Sequence, residues 1–240
     1  MLPVDLIVLA GGRGSRLGGV LKPAVEVAGR TLLSRVLDAR PVARHAVVVG
    51  PPAAQPAAAP PVTAPVAHTP LIWALEDPPF GGPVAGLAAG LTALDAHAAL
   101  ATNVPLDTNE DGPEPPVGWL LVLACDLPWG ADAARLLVAA ASALEKTDDR
   151  QDGVHLVDSS GHAQWLAAIY RAPALRAAVA RLGDRVDGAS MRQLLAGLQL
   201  DGLQDEAGAG IDVDTWQDVK SSTVRLTDAS VPDHSARPEE

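Results

Sequence analysis

Between Gly11 and Lys22, five glycines share a short stretch with Arg13, Ser15, Arg16 and Lys22, directly after an apolar run from Leu6 to Leu9. Glycine carries no Cβ, so such a loop can bend tightly and let a ligand approach the backbone. Successive N–H groups and three cations make a positive concavity suited to phosphate oxygens. Lys22 is a mobile point charge, able to neutralise charge that builds on a phosphate under attack. Asp126 closes another apolar run and precedes Pro128. A carboxylate at such a place lies where open α/β sheets bind ligands, and its hard oxygens suit Mg²⁺ beside substrate phosphates. Asp214 offers either a second metal ligand or, preceding Thr215-Trp216-Gln217-Asp218, the N-cap of a terminal helix; Asp212 stands in reserve. These residue types support transfer chemistry at phosphorus.

The elements that must hold them alternate between strand-like and helix-like patterns. Leu6–Leu9, Ala46–Gly50, Leu71–Leu75 and Trp119–Ala124 read as buried strands. Thr31–Arg40, Pro83–Leu100 and Ala131–Leu144 read as the helices between and after them, the second opened by proline. This order predicts a three-layer α/β fold, a mostly parallel sheet with helices on both faces. Gly153–Val157 and Gln164–Tyr170 flank Asp158-Ser159-Ser160-Gly161 and predict a late antiparallel hairpin. Helices at Pro173–Leu182 and Ser190–Leu198 and a short terminal helix after Asp214 complete the chain.

Three stretches break the alternation. Residues 51–70 hold seven prolines among alanines and read as an extended surface connection. Residues 102–118 carry Asp107, Glu110, Asp111 and Glu114 among prolines and read as a flexible acidic insertion. The expected organisation is one domain over residues 1–220 and a disordered tail over 221–240.

Composition narrows the function classes. A net charge of −11 and a pI near 4.9 argue against a general nucleic-acid or anionic-membrane binder, so an anionic substrate needs the local positive loop. The single cysteine, Cys125, forms no intrachain disulfide, and its place in an apolar strand without a base motif argues against a nucleophile. The six histidines lack metal-ligand spacing. Trp165 and Tyr170 read as packing residues. The apolar N-terminal run lacks a basic leader, and no segment approaches the ~20 apolar residues of a membrane span. A cytoplasmic protein is expected.

Two familiar phosphate loops do not fit. The G-x-G-x-x-G fingerprint begun at Gly12 would place its third glycine at Leu17, and Lys22 does not follow a glycine as in G-x-x-x-x-G-K-[ST]. Read whole, LAGGRGSRLGGVLKP resembles the signature loop of small-molecule nucleotidyltransferases, most closely the molybdenum cofactor guanylyltransferase family. Glu76-Asp77 before Gly81-Gly82-Pro83-Val84-Ala85-Gly86, then Cys125-Asp126-Leu127-Pro128, then Asp212-Val213-Asp214-Thr215 resemble further motifs of that family, in the same order.

The resemblance implies a nucleotide-diphospho-sugar transferase-like fold and transfer of GMP from GTP to the phosphate of molybdopterin cofactor. It implies that Leu9, Ala10, Gly11 and Asp77 contact the nucleotide, Lys22 its phosphates, and that Asp126 holds Mg²⁺. The residues themselves extend the expectation: Gly12, Arg13, Gly82, Gly86 and Asp126 join the nucleotide contacts, Lys22, Arg16 and Asp126 do the catalytic work, and Asp214 is the second metal ligand. A protein that receives the finished cofactor is the implied partner. Leu21 stands where the family usually has an acidic residue, and Gly50-Pro51 where an asparagine often lies near the base. The alternatives are a nucleotidyltransferase using CTP or another phosphorylated acceptor, and a catalytically silent nucleotide-binding paralogue.

Overall fold

A computed structural model describes residues 2–12, 15–60, 71–102, 117–147 and 150–228. Strand β1 (Val4–Leu9) is buried at every position, which is why it reads as unbroken apolar sequence apart from Asp5. A two-residue hairpin, β2 (Glu26–Val27) with β3 (Arg30–Thr31), leads into α1 (Leu32–Val36), capped where Ser34 N donates to Thr31 Oγ1 at 3.2 Å. Then come β4 (Ala46–Val49), β5 (Leu71–Ala74), α2 (Pro83–Thr102), β6 (Trp119–Ala124) and α3 (Gly130–Thr147). The later elements are β7 (Gly153–Val157), β8 (Ala163–Arg171), α4 (Ala172–Leu182), α5 (Met191–Leu195), β9 (Leu200–Gln204) and α6 (Trp216–Asp228).

Among the described residues the main sheet has seven strands in the order β5-β4-β1-β6-β8-β7-β9. β8 alone opposes its neighbours, pairing antiparallel with β6 and β7, while the other pairs run parallel. This is the mostly parallel α/β sheet with a late antiparallel hairpin. Side chains alternate between two cores. Leu6, Val8, Leu121 and Leu123 meet Val36 and Leu137 on one face. Ile7, Val49, Leu120 and Val122 meet Leu87, Leu91 and Leu175 on the other. A third, small cluster joins Leu17, Val25, Val27 and Leu32 to Val213. It fastens the Gly-rich loop to the C-terminal segment.

Register matters most for the site. Leu9 lies opposite both Val49 and Ala124, and Val49 opposite Ala74, so β5, β4, β1 and β6 end on one line. Whatever follows each strand projects from one edge of the sheet.

Several expectations are corrected. The chain is helical through Asp228, so 221–228 are not a disordered tail; α6 is held by half-buried Val219 and Leu226 against the third cluster. Residues 229–240 lie outside the described residues. The Pro/Ala stretch is not simply extended: Pro52–Ala58 forms 3-10 turns that bury Ala54 and Ala57, a geometry that tolerates proline at its start. Of that stretch 61–70, and of the acidic insertion 103–116, lie outside the described residues. The helix expected over 31–40 is α1 followed by a 3-10 stretch, Leu37–Val42, with Pro41 inside it. Within α2, Pro83–Leu100 reaches a mean hydropathy of 1.2, enough by length and composition for a membrane span, contrary to expectation. Its buried Val84, Leu87, Leu91 and Leu94 pack against the sheet, which accounts for that apolarity.

Candidate active site

Lys22 stands at the start of a 3-10 turn, Lys22–Ala24, whose Pro23 is buried. Its Nζ lies 2.5 Å from Asp126 Oδ2 and 2.5 Å from Asp214 Oδ1. Arg16 Nη1 donates to the other Asp214 oxygen at 2.6 Å. Lys22 and Asp126 are only 12% and 15% exposed, whereas Asp214, at 36%, sits at the rim. A backbone bond from Val213 N to Asp126 O, 3.0 Å, clips the C-terminal segment onto the end of β6. Asp214 is free of capping duty, because Thr215 and Asp218 form the cap. Asp218 Oδ2 accepts from Thr215 N at 2.7 Å, and Asp218 N donates to Thr215 Oγ1 at 3.2 Å.

Carboxylate oxygens of Asp126, Asp212 and Asp214 lie within 4.8 Å of one another. Among the described residues Asp126 Oδ1 is buried with no hydrogen-bond partner. An orphaned buried oxygen facing two more carboxylates suits a hard dication.

Beside this cluster a cavity of about 610 Å³ opens along the aligned strand ends. Leu9, Gly11, Gly12, Gly82, Gly86 and Asp126 line it, as do Val49, Leu75, Glu76, Phe80 and Leu166. Ala10 does not; it is 1% exposed, and its N donates to Val49 O at 2.8 Å. Gly50 lies against it, where a Cβ would stand 3.0 Å from Ala10 O. That close approach explains a glycine after β4. Asp77 is exposed and absent from the wall, and its neighbour Glu76 faces the cavity instead. Arg13 lies outside the described residues. Sequence reasoning missed Glu76 as a site residue and held Asp212 only in reserve. It also missed the Thr215–Asp218 cap, although Thr-x-x-Asp was there to be read.

The family profile of the MobA-like NTP transferase domain matches residues 6–203. The chain belongs to this family. It is 27% identical over 207 residues to the molybdenum cofactor guanylyltransferase of Pseudomonas syringae pv. syringae (strain B728a), covering 86% of this chain and 85% of that protein. It is 32% identical over 123 residues to the protein of the same name from Rhodopseudomonas palustris (strain BisB5), spanning 51% of this chain and 48% of that one. A solved nucleotidyl transferase from Methanothermobacter shares the fold, with a TM-score of 0.62 at 17% identity over 95% of this chain and 99% of that one. The protein is thus a nucleotidyltransferase.

The electrostatics of this MobA-like site are unbalanced towards the negative. Burial alone would push the Lys22 ammonium down, but Asp126 and Asp214 outweigh it and hold Lys22 above the ordinary lysine value. The hydrogen bond from Lys22 holds Asp214 below the usual carboxylate range, with Arg16 adding to it. Burial pushes Asp212 up, and the neighbouring Asp126 and Asp214 push it further. Among the described residues, two side-chain cations, Lys22 and Arg16, stand beside three carboxylates. Burial also pushes the Cys125 thiol up, so no thiolate nucleophile is at hand. Tyr170 is fully buried, with its hydroxyl donating to Trp165 O at 2.8 Å, which is a packing role.

Proposed function

We propose that the protein transfers GMP from GTP to the phosphate of molybdopterin cofactor and releases pyrophosphate. The observation that carries the reading is Lys22, pinned between Asp126 and Asp214 at one end of a cavity large enough for a nucleoside. The names of the two relatives supply the base and the acceptor.

An oxygen of the acceptor phosphate attacks the α-phosphorus of GTP, and the bond to the departing pyrophosphate breaks in line. Lys22 neutralises charge on the α-phosphate, a role that requires it to turn from the carboxylates towards substrate. Arg16, and Arg13 with it, grip the triphosphate, while the backbone of Gly11 and Gly12 takes the phosphate oxygens. Leu9, Gly82 and Gly86 bound the base pocket, with Ala10 beneath it as its backbone support. Mg²⁺, held by Asp126 with Asp214 and Asp212 beside it, would supply Lewis-acid neutralisation of the phosphate charge. The Asp126 Oδ1 without a partner among the described residues and the grouping of the three carboxylates support that ligand set. No covalent enzyme intermediate is needed.

The test offers purified protein, Mg²⁺ and molybdopterin cofactor either GTP or CTP, recording pyrophosphate and dinucleotide product. Product with GTP alone is expected. Product with CTP alone overturns the base assignment, and nucleotide binding without product under both conditions overturns the catalytic reading.

A further inference from the structure

The acid that faces the nucleoside cavity is not the one the family resemblance points to. β5 ends at Ala74, and Glu76 follows two residues later, on the aligned edge of the sheet. Phe80 N donates to Glu76 Oε1 at 2.7 Å, closing a turn that fixes the carboxylate. Glu76 Oε2 lies 3.6 Å from where a Cβ on Gly86 would stand, and Oε1 3.9 Å from one on Gly11. These are ordinary van der Waals distances, so the carboxylate lies directly beside Gly86 and Gly11. Phe80 itself takes φ 68, a backbone conformation that bulky residues avoid, and the residue is 60% exposed at the cavity wall.

Within the described wall, Glu76 and Asp126 are the two acids. Asp126 follows β6 and Glu76 follows β5, three strand positions away, and the Glu76 side chain reaches back along the sheet edge to lie beside Gly11 and Gly86. One acid therefore belongs to the Lys22 cluster, while the other lies among apolar side chains such as Leu9, Val49 and Leu75.

We infer that Glu76, held by its bond to Phe80, is the residue that reads the base, accepting the N1–H and 2-amino groups of guanine, with the Phe80 ring against the base face. An ionised carboxylate only accepts, and each oxygen has more than one acceptor site, so Oε1 serves both Phe80 N–H and substrate. Guanine presents two donors side by side on one edge, matching two carboxylate oxygens. Adenine and cytosine set a ring-nitrogen lone pair beside their amino group, which repels a carboxylate. Uracil offers one N–H between two carbonyls. Apolar walls make a mismatch costly, because an unpaired polar edge is then buried. The inference rests on the guanine-nucleotide reading above and names its specificity residue.

Calorimetric titration of the full chain with GTP, ITP, CTP and inorganic tripolyphosphate, in Mg²⁺, tests it. ITP keeps N1–H but lacks the 2-amino group. Wild type should bind GTP about tenfold tighter than ITP, and CTP more weakly still. Glu76→Gln keeps an acceptor for Phe80 N; it should weaken GTP about 10- to 100-fold and close the GTP–ITP gap to within about threefold, with tripolyphosphate unchanged. Asp77→Asn should move GTP less than about threefold, as expected of an exposed residue. An unchanged GTP–ITP gap in Glu76→Gln, or a larger loss in Asp77→Asn, overturns the assignment. So does parallel loss of tripolyphosphate, which would make Glu76 a structural residue. Tighter binding of CTP than GTP by wild type overturns the guanine reading itself.

Discussion

At the β6 end of the cavity the side chains are charged and come from three distant stretches; Lys22 and Asp214 are 192 positions apart. At the β5 end they are apolar except for Glu76, and Glu76, Phe80, Gly82 and Gly86 all fall within eleven residues. The charged end depends on tertiary docking of the C-terminal segment through Leu17, Val25 and Val213. The apolar end is built by the connection from β5 into α2, with Leu9 and Val49 from the ends of β1 and β4. Damage at the first should therefore fall on rate, and damage at the second on choice of base.

The largest effect should come from Asp126→Asn. It removes a proposed metal ligand and one of the two carboxylates on Lys22, and turnover measured by pyrophosphate release should fall at least about 10²- to 10³-fold. Discrimination of GTP from ITP in binding should survive. Full activity would remove Asp126 from the mechanism, and lost discrimination would mean the two ends are not separable. Leu17→Ala comes next. Leu17 is 2% exposed in the cluster that ties the loop to Val213, and truncation should cost about 2–4 kcal/mol in urea unfolding. Because the same cluster seats Lys22 near Asp214, kcat should drop while the GTP–ITP ratio holds. Unchanged stability would show that the cluster does not hold the loop.

How far each end could be read from sequence follows the same division. β1, β4 and β6 are covered on both faces, so their unbroken Val, Leu and Ile runs announced them. β9, Leu-Asp-Gly-Leu-Gln, lies at the sheet edge half-exposed, and β2 and β3 are two residues each, too short for any period to register. Lys22 and Asp126 stood out as charges beside glycines or a strand end. Glu76 and Asp77 could not be told apart. Alternation stops where a strand ends, and the turn closed by Phe80 decides which acid faces inward. For Asp214 the deciding feature was local but overlooked, since Thr215 and Asp218 cap α6 between them.

Gly50→Ala sharpens the contrast from the apolar end. A Cβ there would meet Ala10 Cβ and Ala10 O, each at 3.0 Å, and backbone cannot yield as a flexible side chain does. The expected cost is about 1–3 kcal/mol of stability, with GTP affinity falling more than tripolyphosphate affinity because Gly50 lines the base end. Equal losses for both ligands would show that the strain spreads to the phosphate end.

The smallest effect concerns pH and belongs to the charged end. Asp214 is held below its unfolded value, chiefly by the hydrogen bond from Lys22. Its contribution to stability is therefore fully present above the unfolded carboxylate range, near pH 4, and is lost as pH falls through the lower folded value. Asp212 shifts upward, by burial first and then by Asp126 and Asp214, so its protonation on acidification favours the folded state and partly offsets that loss. Lys22, held above its ordinary value, loses its contribution only as pH climbs past that of a free lysine, so it stays constant through the acid range. The difference in urea midpoint between wild type and Asp214→Asn should be steady from about pH 7 to pH 5 and shrink towards pH 3. A difference that stays constant down to pH 3 would mean that the Lys22–Asp214 pair adds nothing to folding. Asp214 would then be held at the rim by the Thr215–Asp218 cap and the Val213–Asp126 backbone bond alone.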